Sequence, residues 1–417
     1  MVTGITPQQT KIDGLTEAEF MKLFTEEVAL PNTIFVGYNT VRFDDEFMRF
    51  MHYRNFYDAY EWQWKDGRSR WDLLDVVRMT RALRPDDIEW PFDSKGNPTN
   101  RLELLSSVNK LDHDNAHDAL SDVNATIALA KLLRVKQPKL FDYLRDMRDK
   151  KKVATLVAAK EPFVYSSGKY PSEYEKTALV GYVAAHPDKQ GALVYDLRHD
   201  PTPYLRMDVS EIVKAWKYDK ERKTTQLPVK TIRFNRCPAV APLGVLDEAS
   251  QKRLKIDVAQ SKNNLKLLQS DNAFAAKLIK AISIMDKQRQ ASWIENESTV
   301  DGKLYDGFFG QEDKTKMSMI RAASAGELKD IPAEFSDKRL QALLPLYKAR
   351  NFPASLNEEE RSFWDNFKQQ QLAGGKKPAL QAYFERLKEL KAQNLSTEKQ
   401  FLLEELHLYG ESLIPAQ

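Results

Sequence analysis

The run Thr33-Ile-Phe-Val-Gly37 gives way within a few residues to a helical pattern, residues 43–51, that carries Asp44 and Asp45 near its start. Apolar residues closed off by a glycine read as a short buried strand. A strand that feeds a helix this abruptly commits the region to an α/β sheet. Ligands in such sheets gather at the carboxyl ends of the strands, which is where Tyr38, Asn39, Thr40 and Asp44 fall.

The surrounding pattern extends this reading. Residues 1–8 read as a loop, followed by a helix capped by Thr16, with Glu19 completing a capping box and apolar positions at Phe20, Leu23 and Phe24. Helical spacing is expected over residues 71–78, 101–108 and 117–135, and the segment ends in Lys150-Lys-Lys152. Beyond it, residues 178–183, 192–195, 205–209 and 230–234 are short β-like runs separated by Pro, Gly and Asp. A small barrel of mostly antiparallel strands fits them. Helical spacing returns after Asp247, with breaks at Asn351-Phe-Pro353 and Ala373-Gly-Gly375. Three domains are therefore expected, over residues 1–152, 153–300 and 301–417.

A length of 417 residues also exceeds one ordinary core. Lys and Arg total 63 against 60 Asp and Glu, which excludes a histone-like polycation and leaves any nucleic-acid surface to local clustering. The single Cys237 rules out an intramolecular disulfide and suits a reducing compartment. No run approaches the ~18 apolar residues of a membrane span, and the amino-terminal residues lack a signal-peptide layout. The expectation is a soluble, cytoplasmic monomer with no membrane partner.

Chemistry concentrates in Asn115-Ala-His-Asp-Ala-Leu-Ser-Asp122. On a helix, residues five apart lie roughly 140° from each other, so one face cannot present both His117 and Asp122. His117 is therefore placed on the entering loop and Asp122 on the helix. An imidazole beside a helix-borne carboxylate suits a base that deprotonates water next to a metal, with Asp44 as a second ligand. Taken singly, Asp122 reads as a surface acid and His117 as a cap or core histidine; their pairing with Asp44 favours chemistry. A metal hydrolase of the His-Asp type would need companion histidines, which the six present do not supply. Ser167-Gly-Lys169 lacks the upstream glycine of a phosphate-binding loop and reads as a turn.

Residues 49–71 interleave rings with cations, among them Arg49, Tyr60, Trp64 and Arg70. Single-strand binders combine aromatic faces for bases with cations for phosphates. Phe56 and Trp71 read as core, whereas Tyr60 and Trp64 lie in a polar, turn-prone stretch.

With these residues in view, the chain resembles the bacterial exonuclease I family of single-strand-specific 3′→5′ exodeoxyribonucleases, which belong to the DEDDh superfamily. The resemblance rests on Thr3-Gly-Ile-Thr-Pro7, Gly37-Tyr-Asn-Thr-Val-Arg-Phe-Asp-Asp-Glu46, Tyr53-Arg-Asn-Phe-Tyr-Asp58, Ser69-Arg-Trp-Asp-Leu-Leu-Asp75, Ala82-Leu-Arg-Pro85, Asn115-Ala-His-Asp-Ala119 and Ala349-Arg-Asn-Phe-Pro353. It implies a ribonuclease H-like nuclease domain, an SH3-like β-barrel and a carboxyl-terminal helical domain. It implies Asp44 and Asp122 as ligands of Mg²⁺ (two ions in the complete site, with Mn²⁺ as a substitute) and His117 as general base. Arg49, Tyr60, Trp64, Arg78 and Arg101 become DNA contacts, Arg101 nearest the scissile phosphate, and Thr3, Gly4, Ile5 and Thr6 border the terminal nucleotide. The acidic tail of single-stranded-DNA-binding protein becomes a partner, with Arg84, Lys338, Arg339 and Arg350 as basic candidates. The family's Asp-x-Glu strand would fall ahead of Met1, so the nuclease domain is expected to lack its first strands and the chain as written to have impaired or no activity. The alternatives are a catalytically deficient fragment that only binds single-stranded DNA or partner proteins, and a nuclease of the same superfamily acting on RNA.

Overall fold

The computed structural model describes residues 3–111, 119–217, 226–294, 299–329, 331, 334–375 and 378–414. The chain divides into two compact units. A sheet unit comprises Ile34–Asp45 and Gly67–Glu297, and a helical unit comprises Met1–Thr33, Glu46–Asp66 and Ser298–Gln417.

In the sheet unit, β1 (Ile34–Gly37) pairs in parallel with β2 (Ser69–Asp72), in a register that sets Gly37 beside Asp72. Residues 71–78, expected as continuous helix, divide at this point. Trp71 and Asp72 complete β2, and the helix Leu73–Leu83 begins after them. Strand pairing with β1 overrides the helical spacing, and Asp72 caps the helix by accepting from the Leu74 N–H. Trp71 meets Phe141 edge-on with ring centroids 4.9 Å apart, next to a core that includes Leu73, Val77, Leu105, Leu129 and Leu133.

A second, antiparallel sheet follows. It is built from β3 (Phe163–Ser166), β4 (Thr177–Ala185), β5 (Gly191–Asp196), β6 (Val229–Arg233) and β7 (Ala239–Pro242), in the order β6-β5-β4-β3-β7. Alternate residues face two separate cores. Val164, Leu179, Leu193 and Tyr195 join the large core with Leu265 and Leu278, whereas Phe163, Tyr165, Val180 and Val194 pack with Met147, Val153 and Val157. Because both faces are covered, these strands read in sequence as unbroken apolar runs. Residues 205–209, expected as a β-like run, instead end the helix Thr202–Leu205 and lead into the helix Val209–Trp216. The cause is local, since Asp208 and Glu211 form a capping box.

The helical unit is organised around Tyr53, Phe56, Met317, Ile320, Leu340 and Leu343. Its Thr16 capping box forms as expected, and the following helix passes into a wider π-helical turn over Phe24–Val28.

Gly181 of β4 shows how closely the sheet is covered. A β-carbon there would lie 2.6 Å from Leu265 Cδ1 and 3.2 Å from a Leu197 methyl. Gly181→Ala is expected to cost about 1–3 kcal/mol through overpacking, read as a lower urea midpoint with an unchanged transition slope.

Candidate functional site

Two strand ends build one cleft in the sheet unit. After β1 the chain turns sharply at Gly37, where a β-carbon would sit 2.0 Å from Thr40 Cγ2. Tyr38 directs its hydroxyl to the Asn100 carbonyl, tying the turn to the residue before Arg101. Asn39 adopts the left-handed conformation at φ 63°, and a short 3₁₀ turn, Thr40–Arg42, delivers Asp44 at the first position of the helix Asp44–Arg54. After β2, Asp72 receives the Asn39 N–H at 2.8 Å and the Val41 N–H at 3.2 Å, so it fastens the same turn from below.

Asp44, Asp122, Arg78 and Arg101 all border the resulting cavity of about 1620 Å³. Asp122 stands in the first turn of the helix Ala119–Lys136 and is exposed. Asp44 is also exposed as a residue, yet partial desolvation and the neighbouring Asp72 charge push its carboxyl above the ordinary aspartate range. Arg78 pairs with Asp75, and Arg101 pairs with Glu103 while staying largely open to solvent. Gly168 packs on the Arg78 guanidinium, so the turn at residues 167–169 supports that arginine.

The donors present are hard carboxylate oxygens, which suit a divalent cation such as Mg²⁺. Among the described residues no group of three or more His, Cys, Asp or Glu side chains is arranged to hold a metal. Asp44 and Asp122 line the cleft together with Asp93, Glu103 and Glu173, and His117 lies outside the described residues.

The helical unit holds the aromatic-basic strip as far as Asp66, and Arg68, Arg70 and Trp71 belong to the sheet unit. Arg49 pairs with Glu46, donates to Gln63 Oε1 at 3.3 Å and lies over the Tyr60 ring, 5.8 Å from its centroid. Trp64 is 63% exposed, whereas Trp62 turns inward beside His52 and Phe24. Thr6 caps the helix Pro7–Asp13, Gly4 takes φ +75°, and Ile5 is exposed. Thr3 Oγ1 accepts from the Ile5 N–H. Of the four basic partner candidates, Arg339 binds Asp337 and Arg350 chelates Asp301 with bonds of 2.9 and 2.7 Å. Arg84 contacts Asp247 and the Val245 carbonyl, and Lys338 is exposed.

Three family descriptions match successive parts of the chain: Exonuclease over residues 1–130, Exonuclease I SH3-like domain over 148–283 and Exonuclease I C-terminal domain over 298–413. Exodeoxyribonuclease I of Haemophilus influenzae is 39% identical over 424 residues, covering 99% of this chain and 87% of that protein. The chain belongs to the exonuclease I family. The structure of Escherichia coli exonuclease I in complex with a dA16 oligonucleotide superposes with a TM-score of 0.90 at 36% identity, covering 99% of this chain and 87% of that one. An ExoI/SSB-Ct complex matches with a TM-score of 0.89 at 35% identity, covering 99% and 87%. The resemblance read from the sequence and its order of nuclease, SH3-like and helical domains both hold for this exonuclease I chain.

From the sequence, Asp72 and Asp75 receive no role and Arg70 is set among the cations of the aromatic-basic strip, whereas in the structure Arg70 is buried and paired with Asp45. An Asp just ahead of an apolar helical run is a capping signal, which was available for Asp72. The partners of Arg70 and Asp75 depend on tertiary contacts. For the strip, Trp64→Ala is expected to weaken single-strand binding by about 1–3 kcal/mol in a fluorescence-anisotropy titration while leaving the urea midpoint unchanged. Tyr60→Ala should weaken binding and also lower the midpoint, because its ring is half-buried against Arg49 and Phe308.

Proposed function

We propose that this chain is an exodeoxyribonuclease that degrades single-stranded DNA from the 3′ end, releasing 5′-mononucleotides, in DNA repair and recombination. The observation that carries the reading is the convergence of Asp44, Asp122, Arg78 and Arg101 on one cleft of a chain matched along nearly its whole length by exonuclease I relatives. The family uses divalent metal ions; for this chain Mg²⁺ is the proposed ion, with Asp44 and Asp122 as the residues that hold it. When bound, such an ion lowers the pKa of water and offsets charge on the phosphate oxygens. The rest falls to the protein. His117 takes the proton of the attacking water. Arg101, with its guanidinium open to solvent, meets the scissile phosphate, and Arg78, held by Asp75 and Gly168, meets the strand behind it. Trp64 and Tyr60 offer faces to unpaired bases, and Thr3, Gly4, Ile5 and Thr6 border the terminal nucleotide. None of these contacts requires a particular base, so the enzyme reads strandedness rather than sequence.

We further propose the acidic carboxyl-terminal tail of single-stranded-DNA-binding protein as a partner. Arg84, Lys338, Arg339 and Arg350 are its basic candidates; Arg84, Arg339 and Arg350 each already pair with an aspartate, Asp247, Asp337 and Asp301. The working limits remain 1–152, 153–300 and 301–417 for the three domains, and the chain acts as a cytoplasmic monomer. No described helix is long and apolar enough to cross a membrane.

The test is purified protein with Mg²⁺ or Mn²⁺ and a 5′-labelled oligonucleotide, single-stranded or annealed. A ladder shortening from the 3′ end of the single strand alone is expected. Asp122→Ala should lower turnover by on the order of a thousandfold or more, with little change in filter binding. Undiminished turnover by that variant would remove Asp122 from the site, and binding without any cleavage by the unaltered chain would favour the binding-only reading.

A further inference from the structure

Strand alternation places Arg70 and Asp72 on one face of β2, opposite Trp71. Both are charged, and both are buried with 9% of their surface exposed. Charged groups are rarely left in such positions unless their hydrogen bonds are satisfied, so what each one holds is informative.

Asp72 spends its carboxylate on backbone. Oδ1 accepts from the Asn39 N–H at 2.8 Å and the Leu74 N–H at 3.0 Å, and Oδ2 accepts from the Val41 N–H at 3.2 Å. Two of these three bonds fix the turn that ends at Asp44, and the third caps the next helix. Arg70 pairs with Asp45, the residue beside Asp44, which is itself 5% exposed. The same guanidinium donates to the Asn235 carbonyl at 2.7 Å, and the Arg70 carbonyl accepts from the Cys237 thiol at 3.2 Å. Residues 235–237 join β6 to β7, so the chain of contacts runs from the antiparallel sheet through β2 to Asp45. Asp44 is thus held on both sides: the turn before it by Asp72, and the residue after it by Arg70.

We propose that Arg70 and Asp72 are positioning residues that set the Asp44 carboxylate for cation binding, with the loop between β6 and β7 as their far anchor. This rests on the reading of Asp44 as a metal ligand. Groups that orient a metal ligand commonly change metal affinity when altered, while a residue that only supports the fold changes stability.

Two substitutions separate these roles. Asp72→Asn keeps one carbonyl oxygen for the helix cap but sets an amide donor against a turn N–H. Arg70→Lys keeps the charge but loses the planar fork that reaches Asp45 and Asn235 together. Mn²⁺ uptake by the full chain is followed by electron paramagnetic resonance of the free ion, alongside urea unfolding and single-strand binding by anisotropy. Both variants are expected to lower the urea midpoint, since each disturbs buried charged bonds, and to bind Mn²⁺ about 10–100-fold more weakly under conditions where they are fully folded, with DNA affinity unchanged. Asp44→Asn is the control: if it leaves Mn²⁺ affinity intact, or the unaltered chain takes up no Mn²⁺, the reading of Asp44 fails and the inference with it. If Asp44→Asn weakens Mn²⁺ binding while Asp72→Asn and Arg70→Lys do not, the positioning role alone is overturned. A loss of Mn²⁺ affinity matched by an equal loss of DNA affinity in the folded variants would assign both residues to the general fold and overturn it as well.

Discussion

A parallel pair of four-residue strands is the constraint on which the candidate site depends. Parallel pairing brings the carboxyl ends of β1 and β2 to the same edge, and each end releases its chain into a turn or helix that carries charge. From one end come Asn39 and Asp44, and from the other Asp72, Asp75 and Arg78. An antiparallel pair would send these groups to opposite edges. The pairing is short, and parallel strands require a long crossover, so side chains must supply much of the local rigidity. Asp72 does so with three charge-assisted bonds to backbone, each stronger than a neutral equivalent.

The buried Arg70–Asp45 pair illustrates a balance between cost and precision. Removing both charges from water is unfavourable, and burial lowers the Arg70 pKa from its ordinary value. The guanidinium also donates through Nη2 to the Asn235 carbonyl, which offsets part of that cost. A hydrophobic pair could fill the same volume with less desolvation. It could not couple a sheet loop to a helix start with a defined direction.

Much of this architecture was legible in the sequence because local chemistry agreed with the final fold. The strand at residues 33–37, the capping box at Thr16 and the runs that became β4, β5 and β6 all announced themselves. Legibility failed where tertiary pairing decided. Trp71 and Asp72 fit a helical period and are strand only because β1 lies beside them. Residues 205–209 looked β-like until the Asp208 and Glu211 caps set a helix start between them. The acids Asp44 and Asp122 could be named from spacing and resemblance, but the groups that hold Asp44 could not, since Asn235 is 165 positions from Arg70. Periodicity likewise could not show that residues 46–66 pack with the far end of the chain.

That last feature bears on how the protein is made. Tyr53 and Phe56 are fully buried, and the Phe56 ring meets Tyr347 with centroids 5.2 Å apart. During synthesis these rings leave the ribosome nearly three hundred residues before the helix Lys338–Asn351 that covers them. The sheet unit, whose last segment ends at Glu297, has all of its chain available earlier. The helical unit must therefore close last, over a loop whose entropy cost grows only with the logarithm of its length. Until then its apolar surface is a natural client for a chaperone, and translation that stalls before residue 338 leaves a sheet unit with its chain complete beside an uncovered aromatic cluster.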